Sequence, residues 1–183
     1  MKRAKSSIYP IFLFLFLFAI GSTSKAQTAE ATPPENMETE VEAPEVIKFD
    51  RLEHWFNTES DTLYVLNFWA TWCRPCVAEM PYFEQVQKEM ADQKVKVVFI
   101  SMDFLEDMES RLLPFLERKQ VASQVVLLDE PKYNTWIDKV SEEWSGAIPA
   151  TVFVQKSKDI RLFHEGEYTY DELKAKVESL ISK

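Results

Sequence analysis

The sequence predicts an α/β domain with a central mixed β-sheet flanked by helices, and three observations carry that prediction. Leu63–Trp69 (LYVLNFW) and Val95–Met102 (VKVVFISM) are near-continuous apolar runs, as in strands buried on both faces. Segments with helical spacing alternate with them, notably Cys73–Ala91, where Val77, Met80, Phe83, Val86, Gln87 and Met90 recur at helical intervals. At the end of the chain, Ala150–Val154 and Ile160–His164 flank a polar turn at Lys156–Asp159, and the helical pattern Asp171–Ser182 follows. Strands alternating with helices and ending in a hairpin plus helix give an α/β layer structure.

Taken in order, the elements begin after a segment that is not part of the fold. Lys2, Arg3 and Lys5 precede an unbroken apolar run, Ile11–Ile20, and Ser24-Lys25-Ala26 supplies small residues where a signal peptidase reads. Residues 1–26 are therefore expected to be a signal peptide. The run is too short to cross ~30 Å of hydrocarbon, which takes about 20 helical residues. An uncleaved membrane anchor stretched from Ile8 is the alternative, and membrane attachment is expected only in that case. No cysteine lies in this segment, which excludes a lipid-modified N-terminus. Either way the domain is expected to face an extracytoplasmic, oxidising space such as the periplasm.

Residues 27–45 are rich in Pro, Glu, Thr and Ala and hold only Met37 and Val41 as larger apolar residues. They cannot bury enough apolar surface to offset their ordering entropy, so they read as a disordered acidic, Pro-rich tether. Residues 46–183 then form one folded domain. Within it Val46–Phe49 predicts a short strand and Arg51–Asn57 a short helix. Pro81 is expected to kink the helix Cys73–Ala91. Asp107–Lys119 reads as helical around Pro114, Val125–Leu128 as a strand, and Thr135–Trp144 as an amphipathic helix. The closing helix presents Leu173, Val177, Leu180 and Ile181 on one face.

Composition excludes several functions. Among 183 residues, 30 acidic side chains oppose 21 basic ones for a net charge of -9, which argues against nucleic-acid binding. Three glycines, none in a phosphate-loop spacing, exclude dinucleotide and P-loop motifs. His54 and His164 cannot build a zinc site with the two cysteines on any usual spacing, so no metal and no cofactor is expected. The two cysteines are also too few for a disulfide-stapled miniprotein.

Those cysteines carry the chemistry. In Trp72-Cys73-Arg74-Pro75-Cys76 a strand runs in and a helix runs out, so Cys73 falls at a helix N-terminus. There unpaired backbone N–H groups and the macrodipole favour a thiolate. Cys76 lies one turn on, close enough to attack a mixed disulfide formed at Cys73. Nucleophile and resolving thiol thus share one loop, as thiol–disulfide exchange requires. In the reduced protein Cys73 is expected to be the accessible thiol and Cys76 the shielded one. A structural disulfide here would close a tiny loop and remove little unfolded-state entropy. A c-type haem site would need His where Val77 stands. Glu79, three residues after Cys76, shares its helix face and is suited to take the proton that Cys76 must lose; the alternative is a solvated helix acid.

Val65–Pro81 (VLNFWATWCRPCVAEMP) resembles the active-site segment of exported thioredoxin-like proteins of the TlpA/ResA group, and the resemblance covers residues 46–183. It implies a thioredoxin fold with an extra strand and helix inserted over Val121–Trp144, before the cis-proline loop. In that family the first cysteine attacks and the second resolves, which gives those roles to Cys73 and Cys76. An acid at the position of Glu79 modulates the thiol pKa values and takes part in proton transfer. Ile148-Pro149-Ala150 resembles the cis-proline loop, implying that Pro149 is cis and that the Ile148 backbone pairs with a substrate strand. Many thioredoxins carry a buried Asp in the strand before the motif. Here that position is Asn67, which cannot take a proton and leaves the acid–base work to Glu79.

Trp72 is expected to line a docking surface, whereas Trp69, Trp136 and Trp144 are expected in the core. The leading reading is a protein-disulfide reductase resupplied by a membrane thiol-transfer electron donor, with apocytochrome c as one substrate the resemblance suggests. A disulfide-donating oxidase is the alternative within the same chemistry, and Arg74-Pro75 tilts against it. A peroxidase fits the CxxC pair poorly. From a different class, a binding or chaperone-like module would make the thiols incidental.

Overall fold

The two apolar runs form the middle of the sheet. The computed structural model describes residues 43–182, so the signal-peptide expectation and most of the tether lie outside the described residues. The strands are β1 (Glu45–Ile47), β2 (Leu63–Trp69), β3 (Val95–Ser101), β4 (Gln124–Leu128), β5 (Ala150–Gln155) and β6 (Ile160–Glu165). The helices are α1 (Phe49–Asn57), α2 (Arg74–Glu89), α3 (Leu113–Lys119), α4 (Ile137–Val140) and α5 (Tyr170–Ile181). The six strands run in the order β1-β4-β3-β2-β5-β6. β1, β4, β3 and β2 are mutually parallel, while β5 and β6 are antiparallel to their neighbours, which makes the sheet mixed as expected. Among the described residues no helix is long and apolar enough to cross a membrane.

Alternation along β2 divides the core into two layers. Trp69 points to the α2–α3 side, where it meets Phe99 of β3 and Phe115 of α3, with ring centroids 6.2 and 5.3 Å away. Phe68 points the other way, onto Trp136 (6.4 Å) and Trp144 (4.7 Å), and Trp136 in turn stacks on Phe49 of α1 (5.8 Å). Trp69, Trp136 and Trp144 are all buried, as the sequence predicts.

Three elements differ from expectation. The first strand spans Glu45–Ile47, beginning one residue inside the expected tether, and Phe49 opens α1 because its ring belongs to the layer over Trp136. The segment expected as the helix Asp107–Lys119 starts as a 3-10 turn at Leu105–Asp107 and passes through a π turn at Met108–Leu112 before regular α3 begins. Pro114 has no N–H to donate into a regular ladder, and the backbone N–H of Leu113 reaches back to Met108 O instead.

The expected amphipathic helix Thr135–Trp144 is largely absent. Tyr133–Thr135 is a 3-10 turn and α4 is a single turn, after which Ser141 is extended. Side-chain bonds to the backbone outcompete the helix. The indole N–H of Trp136 donates to Glu130 O (3.0 Å) and that of Trp144 to Ala147 O (2.7 Å). The Arg161 guanidinium takes the carbonyls of Lys139 and Val140, so the last turn of α4 needs no continuation. Gly146, at φ 92°, then reverses the chain toward Pro149, a conformation that disfavours any residue with a Cβ.

The remaining elements follow local signals. α2 continues through Pro81 to Glu89, and a 3-10 turn covers Ala91–Gln93. α5 starts at a capping box. Thr169 Oγ1 accepts from Glu172 N, and the Glu172 carboxylate accepts from Thr169 N at 3.0 Å.

Candidate active site

The site forms where β2 ends and α2 begins. Trp69 is the last residue of β2, a short turn follows, and Cys73 is the N-cap of α2. Its Sγ accepts from Cys76 N at 3.3 Å, the cap bond that a serine oxygen makes in other helices. Pro75 occupies the first turn, where a missing N–H leaves nothing unpaired. Cys73 and Cys76 are joined in a disulfide, with Cα atoms 5.3 Å apart. In this oxidised form both cysteines are buried, Cys73 6% exposed and Cys76 1%. Trp72, at 54% exposed, stands on the rim beside them.

The Ile148–Pro149 peptide is cis. β5 begins at the next residue, and its Ala150 pairs with Phe68 of β2, which carries this loop to the end of the sheet where the dithiol lies. The Ile148 carbonyl oxygen is 3.7 Å from Cys73 Sγ. A disulfide sulfur has no hydrogen to donate, so this is a packing contact, and it leaves the Ile148 backbone beside Cys73. Ile148 is half-buried and Pro149 buried.

Glu79 is not a solvated helix acid. It is 1% exposed, one turn along α2 from Cys76. One carboxyl oxygen accepts from Asn67 Nδ2 (2.9 Å) and the other from the backbone N–H of Tyr168 (2.7 Å). Burial pushes its pKa up from 4.5 to about 7, against the opposing pull of the Tyr168 N–H and Asn67, and nearby Glu167 adds to the rise. A carboxyl group that titrates near neutrality can hold or release a proton within the working pH range.

Asn67 emerges as more than a missing acid. It is buried, and its amide donates both to Glu79 and to Thr151 Oγ1 (3.2 Å) on the neighbouring strand. The register of β2 with β5 sets Thr151 directly opposite Asn67. The sequence signal was a single amide inside the apolar run LYVLNFW, where a buried polar group needs partners. Thr151 and the Tyr168 backbone had no such signal, because only the sheet register and the α5 approach bring them in. Among the described residues no group of His, Cys, Asp and Glu is placed to hold a metal ion.

Residues 51–163 match the AhpC/TSA family. The chain is 32% identical over 114 residues to the thioredoxin-like protein YneN of Bacillus subtilis, covering 62% of each chain. It is 24% identical over 188 residues to the thiol-disulfide oxidoreductase ResA of Geobacillus thermodenitrificans, covering 98% of each. It thus spans less than two thirds of YneN and nearly all of that ResA. Among solved structures, a thioredoxin-related protein from Neisseria meningitidis serogroup B superposes with a TM-score of 0.58 at 24% identity, over 68% of this chain and 88% of that one. The fold is that of thioredoxin.

Proposed function

The chain belongs to the AhpC/TSA family, and on that premise we propose that it is an extracytoplasmic thiol–disulfide oxidoreductase that reduces protein disulfides through Cys73 and Cys76. The observation that carries this reading is the pairing itself. Cys73 caps α2 with its sulfur on the Cys76 N–H, already joined to Cys76 in the oxidised state of an exchange pair. The name of the similar ResA, a thiol-disulfide oxidoreductase, supports the same chemistry.

The reaction starts from the dithiol. The Cys73 thiolate, favoured by the end of α2, attacks one sulfur of the substrate disulfide. A Cys73–substrate disulfide forms and the other substrate sulfur leaves as a thiolate, which takes a proton from solvent. Cys76 passes its proton to the ionised Glu79, and the resulting thiolate attacks Cys73 Sγ. The Cys73–Cys76 disulfide closes, the second substrate thiolate leaves, and two electrons have passed to the substrate. Trp72 and the Ile148-Pro149 backbone are the surfaces that hold the substrate chain. Return to the dithiol needs a thiol donor outside the cytoplasm, and a membrane thiol-transfer protein is of the right class. Residues 1–26 provide export and the stretch from residue 27 up to β1 the tether; apocytochrome c is the first substrate to test.

Equilibration against a glutathione series tests the direction of electron flow. A reductase lies nearer thioredoxin, at about -270 mV, than the oxidant DsbA, at about -120 mV. A value above about -180 mV would assign the chain to disulfide donation instead. Cys73→Ser is expected to abolish turnover and Cys76→Ser to accumulate the mixed disulfide. Wild-type protein that reduces disulfides no faster than Cys73→Ser would sink the exchange reading in favour of a binding module.

A further inference from the structure

The ladder between the two central strands stops at the pair Trp69 and Ser101. Beyond it the turn that delivers Cys73 has no strand beside it, yet its backbone is held. Met102 N donates to Trp69 O (2.7 Å), and then the side chain of Asp103, only 3% exposed, takes over from the ladder. One carboxyl oxygen of Asp103 accepts from Thr71 N (3.0 Å) and from Ser101 Oγ (2.8 Å). The other accepts from the Thr71 hydroxyl (2.6 Å). Ser101 Oγ accepts from Asp103 N (3.1 Å), which fixes the orientation of the carboxyl group. Cys73 N donates to Ala70 O (3.1 Å), closing the turn onto the helix cap. A carboxylate can accept all three of these donors at once, because its two oxygens offer about four lone-pair sites.

We propose that Asp103 is a positioning residue for thiol exchange: by gripping Thr71 it holds the turn Ala70–Cys73 so that the Cys73 sulfur stays on the Cys76 N–H. The proposal rests on the exchange function above. Once the disulfide is reduced, nothing covalent ties Cys73 to the end of α2. The thiolate keeps its N–H donor and its place in the helix field only while the turn stays fixed. Coulomb repulsion from an acidic group works against a neighbouring thiolate, so any help Asp103 gives Cys73 comes from geometry. Trp72 and Phe104 each follow one half of this clamp in the chain and are 54% and 55% exposed. The same grip therefore sets the aromatic rim that a substrate polypeptide meets.

Geometry and charge predict opposite signs, which makes the proposal testable in the reduced full-length protein. The measurements are the thiolate absorbance titration of Cys73, its alkylation rate with iodoacetamide, the rate with glutathione disulfide, and the melting temperature. Thr71→Val removes the hydroxyl donor at nearly constant shape. It is expected to raise the Cys73 titration midpoint and slow alkylation at neutral pH roughly tenfold, as misplacement of a reacting group does. Thr71→Ser, which keeps the hydroxyl, is expected to restore both. Asp103→Asn is expected to shift the midpoint in the same upward direction. A fall in the midpoint with faster alkylation would mean that Asp103 acts through its charge, and the proposal would be wrong. A lower melting temperature with the titration and the rate per folded molecule at wild-type values would reduce the clamp to a structural tie, which also overturns it. Failure of the unaltered protein to reduce glutathione disulfide would sink the exchange function instead, and the Cys73 titration would still decide the clamp.

Discussion

Glu79 and Glu89 lie near opposite ends of the same helix, and their proton affinities diverge. Glu79 is buried under the dithiol end of α2, and its pKa is pushed up to about 7 by loss of solvent. Glu89, in the last turn, is exposed and accepts from Lys174 Nζ (2.8 Å), the Tyr170 hydroxyl (2.7 Å) and Gln85 Nε2 (2.9 Å), chiefly Lys174, which holds its pKa down at about 2. Both acids meet the same neighbouring segment of chain. At one end the Tyr168 backbone closes over Glu79 and offers one N–H; at the other the first turns of α5 reach Glu89 with a cation. The residue type and the helix are shared, so the difference is set by what packs against each position.

The strongest way to break the comparison is Glu79→Gln, which makes the buried position permanently neutral. As a proton acceptor the wild-type carboxylate gains effect as pH rises through about 7. Resolution by Cys76 is therefore expected to slow about 100-fold near pH 8, within the usual range for general base catalysis. The loss should shrink at higher pH, where Cys76 ionises unaided. Stability has the opposite slope. A carboxyl whose pKa rises on folding from 4.5 to about 7 contributes stability below pH 4.5 and loses it as pH climbs to about 7, up to about 3 kcal/mol in all. Urea unfolding of the oxidised variant is expected to lack that decline. An unchanged pH–rate profile would return Glu79 to an ordinary structural acid.

Asn67→Asp sharpens the comparison from the partner's side. It removes the amide that donates to Glu79 and Thr151 and sets a second carboxyl against the first. The two would share a proton, so the Glu79 titration should move above 7. Unfolding at pH 8 is expected to show a loss of about 2 kcal/mol, the usual cost of a broken buried hydrogen bond, and a smaller loss at pH 5. Equal losses at both pH values would show that charge is not the cause.

Glu89→Gln is the small effect that anchors the other end. Its lowered pKa contributes stability above about pH 4.5 that is lost as pH falls toward 2. The group is exposed and screened, so the variant should differ little from the parent near neutrality, and less again at high salt. Thermal melts at pH 3 and pH 7 in low and high salt measure it. A large drop at pH 7 would mean that the tie between α2 and α5 matters more than its exposure implies.

Most of the fold was legible from local pattern. β2 has the bounds its apolar run predicts, and α2, α5 and the closing hairpin follow helical spacing and turn chemistry to within a residue or two. The misses cluster in 105–144, where side-chain donors and a proline interrupt regular helix. Arg161 takes carbonyls that a continuous helix would otherwise have used, the indoles of Trp136 and Trp144 are tied to carbonyls on either side of that segment, and the start of the segment around Pro114 runs through a π turn. The cysteines were legible for the opposite reason. Their spacing, and their place between a strand and a helix, are local properties.

The sequence by itself determined the pair Cys73 and Cys76, the cap position of the first, the face shared by Cys76 and Glu79, and the strand–helix order that carries them. These depend on bonds and periodicities within one turn of helix or one strand. Only the tertiary structure decided that Glu79 is buried with a pKa near 7, that Asn67 holds it, and that Asp103 grips the turn before Cys73. Each of those depends on partners remote in the chain, Thr151 across the sheet, Tyr168 before α5 and Asp103 beyond β3. A side chain's solvation and charge follow from which remote groups the fold packs against it, and no local spacing encodes that.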